Sequence, residues 1–313
     1  MPKTLNYLLF IAAAALFFSC KKELQATTNV QHVYIGKYLL FDADEQFNTG
    51  QSGYPSPYTA IYYSNLDGTG LTRVTSAETG YYCYRPSWSP DGKQVIYIRG
   101  NQSDSDRSIC IIDITGNNFK SVVKGNKVDY PSFSPDGTKL IYAKSLVNTV
   151  PYNYDLYVSN TDGTSEQRIT SFANDNGEVA NIHCAPNGKI YFYATSNHYN
   201  TGVYSVNSDG SGLKYVLTDV DFLGVSPNGN NLLFDLGDGL YVCNSDGTNI
   251  QKILVFDNNE PNMLVGAAWS PDGNEIYFSN ADYPTYFGIY RVTVNGYGLQ
   301  QILSGYYEYP QVF

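Results

Sequence analysis

Short runs of apolar and aromatic residues recur along the chain, and each run ends near Gly, Pro, Asp or Asn. Residues 95–98 (Val-Ile-Tyr-Ile) and 156–158 (Leu-Tyr-Val) are examples. Runs that are rich in β-branched and aromatic side chains and bounded by turn residues are typical of strands. The 30 Tyr, 28 Gly and 14 Pro residues fit the same interpretation. We therefore predict an all-β fold with many short strands.

Two turn signatures alternate through the chain. Ser-Pro-Asp-Gly stands at residues 89–92, 134–137 and 270–273, with weaker copies at 185–188 and 226–229. Asp-Gly stands at 67–68, 162–163, 209–210 and 246–247, and Gly116 and Gly296 occupy the corresponding places. Pro and Asp favour the turn geometry, and Gly accepts a positive φ. Copies of the first signature are about 40–50 residues apart, which is the length of a four-stranded propeller blade.

The repeat predicts a six-bladed β-propeller of four-stranded antiparallel blades, with strands a to d in each blade. The first signature would join a to b, and the second would join c to d. In blade two we predict strands at 82–89, 94–99, 107–114 and 118–123. The residue near the end of strand a is expected to pack each blade against its neighbour. In blades two to six this residue is Trp88, Phe133, Cys184, Val225 and Trp269.

Blade one is divided between the two ends of the sequence. Residues 36–43 predict its strand b, and residues 59–65 and 69–75 predict strands c and d. Tyr-Pro-Gln-Val at 309–312 matches Tyr-Pro-Ser-Phe at 130–133, which lies in strand a of blade three. We therefore expect the C-terminal strand to close the ring and remove exposed sheet edges.

This repeat resembles that of the TolB-type, WD40-like β-propellers, in which Trp-Ser-Pro-Asp-Gly precedes an apolar strand and Asp-Gly follows later. The resemblance covers residues 36–313, with five copies of the first signature. It implies a role in protein binding, since TolB is a periplasmic partner of the lipoprotein Pal. Oligogalacturonate lyases are related propellers that hold a metal through several His. A metal-dependent polysaccharide lyase is therefore the alternative function.

The first residues are predicted to direct export. An apolar run at residues 8–18 is too short to span a bilayer comfortably, and Ser19-Cys20 follows it. This junction resembles the lipobox of bacterial lipoproteins, in which the Cys becomes the N-terminus and carries the lipid. Ordinary signal cleavage is the alternative. Two or more acyl chains would anchor the protein stably.

The expected organisation is a lipoprotein signal peptide at 1–19, a tether at 20–30 and the propeller at 31–313. Lys21 and Lys22 replace the Asp that retains enterobacterial lipoproteins in the inner membrane. The resemblance therefore implies lipid anchoring in the outer membrane, facing either the periplasm or the cell surface.

The formal net charge is −10, and no basic stripe is present, which argues against a nucleic-acid partner. We expect a monomer. Beyond Cys20 the chain has four Cys, at positions 83, 110, 184 and 243. Export would permit disulfides, but their places in the predicted blades favour four free thiols.

Metal or catalytic chemistry finds little support in the sequence. The three histidines, His32, His183 and His198, have no paired spacing, so each is interpreted as a structural or surface residue. Carboxylate pairs that could hold Ca²⁺ if oxygen ligands converged are Asp42/Asp44, Asp104/Asp106 and Asp219/Asp221. Solvation of the loops is the preferred explanation of these pairs. We predict no catalytic residue, no metal and no cofactor, and hence a protein that is not an enzyme.

The longer b–c and d–a connections should share one rim of the propeller, which we call the long-loop rim. Tyr is abundant there, and Tyr among small polar residues is typical of binding surfaces. The candidate ligand-binding residues are Tyr54, Tyr58, Tyr81, Tyr82, Tyr84, Tyr152, Tyr154, His198, Tyr199, Tyr283, Tyr286, Tyr306 and Tyr307. We expect this rim to bind a protein or a glycan. The same Tyr residues could instead only pack the bases of the loops.

Overall fold

The computed structural model describes residues 38–45, 59–76, 80–101, 106–125, 127–146, 153–256, 264–282 and 286–313. Within 281–287 the backbone of residues 281–282 and 286–287 is described, but no side chain is. Among these residues there are twenty-four strands and one short 3₁₀ helix, Phe172–Asp175. The predicted signal peptide, the predicted tether, Cys20 and His32 lie outside the described residues. No helix in the described segments is long and apolar enough to cross a membrane.

The strands form six four-stranded antiparallel sheets, as predicted. Blade one holds β1 (Tyr38–Asp44), β2 (Thr59–Asn65) and β3 (Thr72–Arg73), and blade two holds β4 (Tyr81–Trp88), β5 (Gln94–Asn101), β6 (Ser108–Asp113) and β7 (Lys120–Lys124). Blade three holds β8 (Val128–Phe133), β9 (Lys139–Ser145), β10 (Tyr154–Asn160) and β11 (Gln167–Arg168). Blade four holds β12 (Glu178–Cys184), β13 (Lys189–Thr195), β14 (Gly202–Asn207) and β15 (Lys214–Thr218). Blade five holds β16 (Asp221–Val225), β17 (Asn231–Asp235), β18 (Gly239–Asn244) and β19 (Gln251–Val255). Blade six holds β20 (Leu264–Trp269), β21 (Glu275–Asp282), β22 (Tyr286–Thr293) and β23 (Gln300–Ser304).

Strand β24 (Tyr307–Val312) completes blade one, where it pairs with β1 as strand a. Tyr38 and Phe313 exchange two backbone hydrogen bonds of 3.1 Å, and the Phe313 ring packs 5.6 Å from that of Trp88 in blade two. The predicted closure of the ring by the C-terminal strand is therefore confirmed.

The six a strands are the inner strands of the ring. Each contacts its neighbour, in the order β24, β4, β8, β12, β16 and β20, and β20 contacts β24 again. Every inner strand also carries a bulge where it pairs with strand b. A bulge leaves extra residues unpaired and bends the strand, which re-aims their side chains.

Apolar side chains fill the spaces between blades. Trp88 packs with Leu40 and Ile61 of blade one, and Phe133 packs with Ile96 of blade two. Trp269 joins the core shared by blades five and six. Cys184 and Val225 pack at the two preceding interfaces, as predicted. Because each interface takes side chains from two blades, the blades stabilise one another.

The turn glycine of each c–d connection lies against strand d of the preceding blade. Gly163 of blade three lies so close to the Val122 carbonyl of blade two that an added Cβ would come well within 3.0 Å of the oxygen. A Cβ would also come within 3.0 Å of the carbonyl oxygen for Gly68 with Ile302, Gly247 with Val216 and Gly296 with Ile253. It would lie 3.0 Å from the oxygen for Gly116 with Val74 and Gly210 with Ile169. The second signature therefore needs glycine for close approach as well as for its positive φ.

The outer strands are shorter or begin later than predicted. Blade one has only Thr72–Arg73 where we predicted 69–75, because Thr69 still belongs to the turn and its backbone N–H donates to Asp67 Oδ1. In blade two the strand begins at Lys120 rather than at 118. Asn118 has a φ of 57° and donates from its side chain to Asp113, so it completes the turn.

All four described cysteines, Cys83, Cys110, Cys184 and Cys243, are free thiols, which confirms that prediction. Burial raises the pKa of Cys184 to about 12. Burial and then the charge of Asp246 raise the pKa of Cys243 to about 11. Reactivity follows the thiolate form, so these two side chains behave as small apolar residues.

Candidate binding surface on the long-loop rim

The antiparallel order of the strands places all a–b and c–d turns on one rim, which we call the short-turn rim, and the longer connections on the other. Eight of the candidate residues are described there. Tyr54, Tyr58, Tyr152 and Tyr283 lie outside the described residues, and so does the side chain of Tyr286.

His198 and Tyr199 are the exposed members of the described set, in the connection between β13 and β14. Ser196 Oγ accepts hydrogen bonds from both backbone N–H groups, which turns the chain at this point. The Tyr199 ring is 41% exposed and rests 5.0 Å from that of Phe172. His198 Nδ1 lies 2.9 Å from Asp175 Oδ1. This part of blade four therefore offers an aromatic ring and a polar ring to solvent.

At the start of β4, Tyr81 is fixed on two sides. The Arg99 guanidinium lies 3.4 Å from the centre of the Tyr81 ring, and the Tyr81 hydroxyl donates to Asp106 Oδ2 at 3.0 Å. A cation over an aromatic face is an attractive contact. Tyr82 lies beside it against Gly100, with its ring 5.3 Å from that of Tyr84. These contacts hold Tyr81 in one orientation at the rim.

The remaining candidates lie deeper and pack into the blades. Tyr84 and Tyr154 pack against the cores of blades two to four, and the Tyr307 ring contacts Phe41 at 5.0 Å. Tyr306 is buried, and its hydroxyl donates to Glu308 Oε1. Burial, followed by the charge of Asp129, raises the pKa of Tyr84. Packing of the loop bases, the alternative interpretation, thus describes these four side chains.

A cleft of about 110 Å³ lies between blades one and two and reaches this rim. Blade one contributes Glu45, Thr59, Arg73 and Ser76, which are polar. Blade two contributes Tyr81, Arg99, Ile112 and Phe119, so that wall is largely aromatic and aliphatic. Arg73 Nε lies 3.0 Å from Glu45 Oε1, and the Tyr62 hydroxyl donates to the same oxygen at 2.5 Å.

A polar cluster around Arg85 on the inner strands was not predicted from the sequence. The guanidinium lies 3.8 Å from the centre of the Tyr130 ring and 5.1 Å from that of Tyr309, and it pairs with Asp129. Burial acts to lower the pKa of Arg85, but the Asp129 carboxylate, with the two Tyr residues, raises it. Arg85 therefore stays charged and links blades one, two and three.

The signal for this cluster was present in the sequence. Arg85, Tyr130 and Tyr309 each precede a Pro and stand at the bulge of their strand, with φ values of 51°, 49° and 48°. Positive φ is uncommon for residues other than Gly. The residue before Pro in strand a was thus a marker of the bulges whose side chains meet around Arg85.

Two carboxyl groups face each other where the ring closes. Asp42 of β1 pairs directly with Glu308 of β24. Burial and then the charge of Glu308 raise the pKa of Asp42, although the Arg85 backbone N–H donates to Asp42 Oδ2 at 2.8 Å. Burial also raises the pKa of Glu308, against the effect of the Tyr306 hydroxyl. The folded ring therefore favours protonation of this pair.

The other candidate ligands for a metal are dispersed. Burial lowers the pKa of His183 to about 4, and its ring faces Phe222 at 5.3 Å. Asp44 is buried beside Asp42 on β1, Asp219 accepts from the Tyr193 hydroxyl at 2.8 Å, and Asp104 lies outside the described residues. Within the described ranges no group of three His, Cys, Asp or Glu is placed to hold a metal ion. These side chains do not fit a site with several His ligands.

Comparison with known proteins places the chain among propellers. Residues 36–181 match the family model of the TolB β-propeller domain, and no curated protein matches the sequence. TolB from Acinetobacter baumannii has a TM-score of 0.68 and 14% identity, over 88% of this chain and 66% of that one. This chain thus spans just under two thirds of that protein.

Two other solved structures show the same architecture in different settings. Oligogalacturonate lyase from Vibrio parahaemolyticus has a TM-score of 0.56 and 13% identity, over 74% of this chain and 71% of that one. A chain of the nidogen/laminin complex has a TM-score of 0.65 and 12% identity, over 88% and 98%. At these identities the likeness establishes the fold alone.

Proposed function

From the premise that this chain is a TolB-type β-propeller protein, we propose that it is exported, lipid-anchored and non-catalytic. We propose further that it binds a protein or a glycan through the long-loop rim. The fold does not decide among the functions of propellers, so the proposal rests on this chain's own residues.

One observation carries the proposal. Tyr199 on the long-loop rim is a large aromatic side chain that is 41% exposed, and it lies among Ser and Asn residues. Exposed Tyr among small polar residues is typical of binding surfaces.

The contacts at the rim support binding rather than packing alone for two regions. Tyr199 and His198 are exposed on blade four, and Tyr81 borders the cleft on blade two. Tyr81 is held by Arg99 and Asp106 before any ligand arrives. A side chain that is already ordered loses little conformational entropy on binding, which favours affinity.

The rival function is a metal-dependent polysaccharide lyase. The likeness to oligogalacturonate lyase favours it at the level of fold. The dispersed His and carboxylate residues of the described segments supply no such metal site. If purified full-length protein with added Mn²⁺ cleaved oligogalacturonate into unsaturated products, the non-catalytic proposal would be wrong.

The test places a photo-cross-linking amino acid, p-benzoylphenylalanine, at position 199 of the full-length protein in native membranes. The matched control is position 297, where Tyr297 is 74% exposed on the short-turn rim. We expect position 199 to capture a discrete partner and position 297 to capture none. Equal capture from both positions, or none from 199, would refute binding by the long-loop rim.

The same experiment separates the two ligand classes. A captured protein gives a band that proteases remove, whereas a captured glycan gives a shift that periodate removes. Tyr199→Ala should compete poorly for the partner while its melting temperature stays within about 2 °C of the original, since surface substitutions change stability little.

A further inference from the structure

We infer that the cleft between blades one and two binds one pyranose ring of a glycan. The inference rests on the proposed binding function and names the ligand class of a cleft that reaches the long-loop rim at Tyr81 and extends between the blades towards Phe119. The cleft is lined by residues of both blades and includes Tyr81.

The size of the cleft limits its occupant to one small unit. Pockets for drug-sized ligands have volumes of roughly 300–1,000 Å³. The cleft, at about 110 Å³, is smaller than these, yet it is several times the roughly 30 Å³ that one water molecule takes up in the liquid. A single ring that projects from a longer chain suits this space.

The two walls differ in chemistry as the two surfaces of a sugar do. A pyranose has hydroxyl groups around its edge and C–H bonds on its faces. The wall from blade one carries a carboxylate, a guanidinium and hydroxyl groups. The wall from blade two carries Tyr81, Ile112 and Phe119, with the Arg99 guanidinium over one face of the Tyr81 ring. Aromatic rings cover the C–H face, while charged groups form strong hydrogen bonds with hydroxyls.

The polar wall is ordered and retains hydrogen-bonding capacity. Glu45 accepts from the Tyr62 hydroxyl and from Arg73, whose Nη2 lies 3.2 Å from Glu45 Oε2. Burial, then the hydrogen bond to Glu45, raises the pKa of Tyr62 to about 12, so it remains a donor at neutral pH. A carboxylate has about four acceptor positions and Arg five N–H donors, so the pair can also bind vicinal hydroxyls.

The aromatic wall offers an exposed surface. Phe119 is 51% exposed, although it is a large apolar residue. Arg99 and Asp106 fix Tyr81 beside the cleft. A protein side chain could also enter such a cleft, but the Glu45–Arg73 pair matches a hydroxyl-bearing ring better than an apolar anchor.

The chain provides matched controls for both walls. Glu166 of blade three is 30% exposed, against 27% for Glu45, and it accepts from the Tyr142 hydroxyl at 2.6 Å and from Lys144. Leu213 is 43% exposed at the position of blade four that corresponds to Phe119. Neither control residue lines the cleft.

The experiment titrates the full-length protein, in a detergent that contains no sugar, with methyl glycosides of glucose, galactose, mannose, N-acetylglucosamine and galacturonic acid. Ligand-observed NMR should detect at least one of them with a Kd of roughly 1–10 mM. Glu45→Gln and Phe119→Ser should each weaken that binding at least about tenfold, and Glu166→Gln and Leu213→Ser should leave it unchanged. Equal melting temperatures of the four variants would exclude unfolding as the cause.

The inference is overturned if no glycoside binds, or if the control variants weaken binding as much as the cleft variants. A different outcome is that a blocked Asp-Phe dipeptide binds and the glycosides do not. If Glu45→Gln abolished that binding, the cleft would instead be a site for a protein side chain. The proposed function is tested separately by capture at position 199. Capture that persists without glycoside binding therefore refutes the sugar site and leaves rim binding intact.

Discussion

A single methyl group at Gly163 tests whether the blades are packed as rigidly as their turns indicate. Gly163 has a φ of 82°, and a Cβ there would lie well within 3.0 Å of the Val122 carbonyl oxygen in the preceding blade. Gly188 has nearly the same φ, 81°, but nothing lies within 4 Å of its Cβ position. The two Gly→Ala changes therefore share the backbone strain and differ in the contact.

The expected costs follow from these two terms. Alanine at a positive φ costs about 1–2 kcal/mol, which both variants incur. Forcing extra volume into a packed site costs about 1–3 kcal/mol more, which only Gly163→Ala incurs. For a domain of this size each kcal/mol lowers the melting temperature by about 2–4 °C, so the two variants should differ by roughly 2–12 °C.

Differential scanning calorimetry of the two variants and the original protein measures this difference. Gly116→Ala provides an intermediate case, because its Cβ would lie 3.0 Å from the Val74 carbonyl oxygen. Its melting temperature should fall between the other two. Equal loss of stability in Gly163→Ala and Gly188→Ala would mean that neighbouring blades move apart easily, and the packing argument would fail.

Three further predictions concern the ends of the chain and the ring closure. Deleting residues 306–313 removes β24 and exposes the edge of β1, so it should sharply lower the melting temperature. A truncated protein with the melting temperature of the original would contradict closure by this strand. Cys20→Ser should release the protein from membranes in a salt wash, and retention in the pellet would refute lipid anchoring. The raised pKa values of Asp42 and Glu308 mean that the folded state binds more protons than the unfolded state. The two carboxyl groups therefore contribute to the free energy of unfolding at a pH below the ordinary carboxyl pKa. This contribution is lost as the pH rises through the raised pKa values. The stability of Glu308→Gln relative to the original protein, measured by urea unfolding, should therefore increase with pH over that range, and a difference that stays constant or decreases would contradict it.

The sequence predicted the architecture well because turns are local. Pro, Asp and Gly set the backbone over a few residues, and their spacing alone identifies the blades. Closure by residues 309–312 was also predictable, since those residues repeat the strand a pattern of 130–133. The outer strand of blade one was predicted too long, because the turn that begins at Asp67 continues through Thr69 before the strand starts.

The candidate site was less predictable, because exposure depends on contacts between distant residues. Tyr199 and Tyr306 both lie in connections on the long-loop rim, yet Tyr199 is exposed and Tyr306 is buried, with its hydroxyl donating to Glu308. Arg85 was overlooked because its partners come from blades one and three. Only the assembled ring brings Tyr130 and Tyr309 to either side of it.

The pairing of β1 with β24 also sets the order in which the ring can be completed. The edge of β1 has no partner until residues 307–312 have been made, roughly 260 residues later, and contacts of such long sequence separation form slowly. A nascent chain therefore carries an open strand edge until residues 307–312 emerge. Such an edge can pair with other chains or be recognised by chaperones and proteases. Ring closure thus distinguishes a chain that contains β24 from one that ends before residue 307, because the shorter chain keeps the open edge of β1.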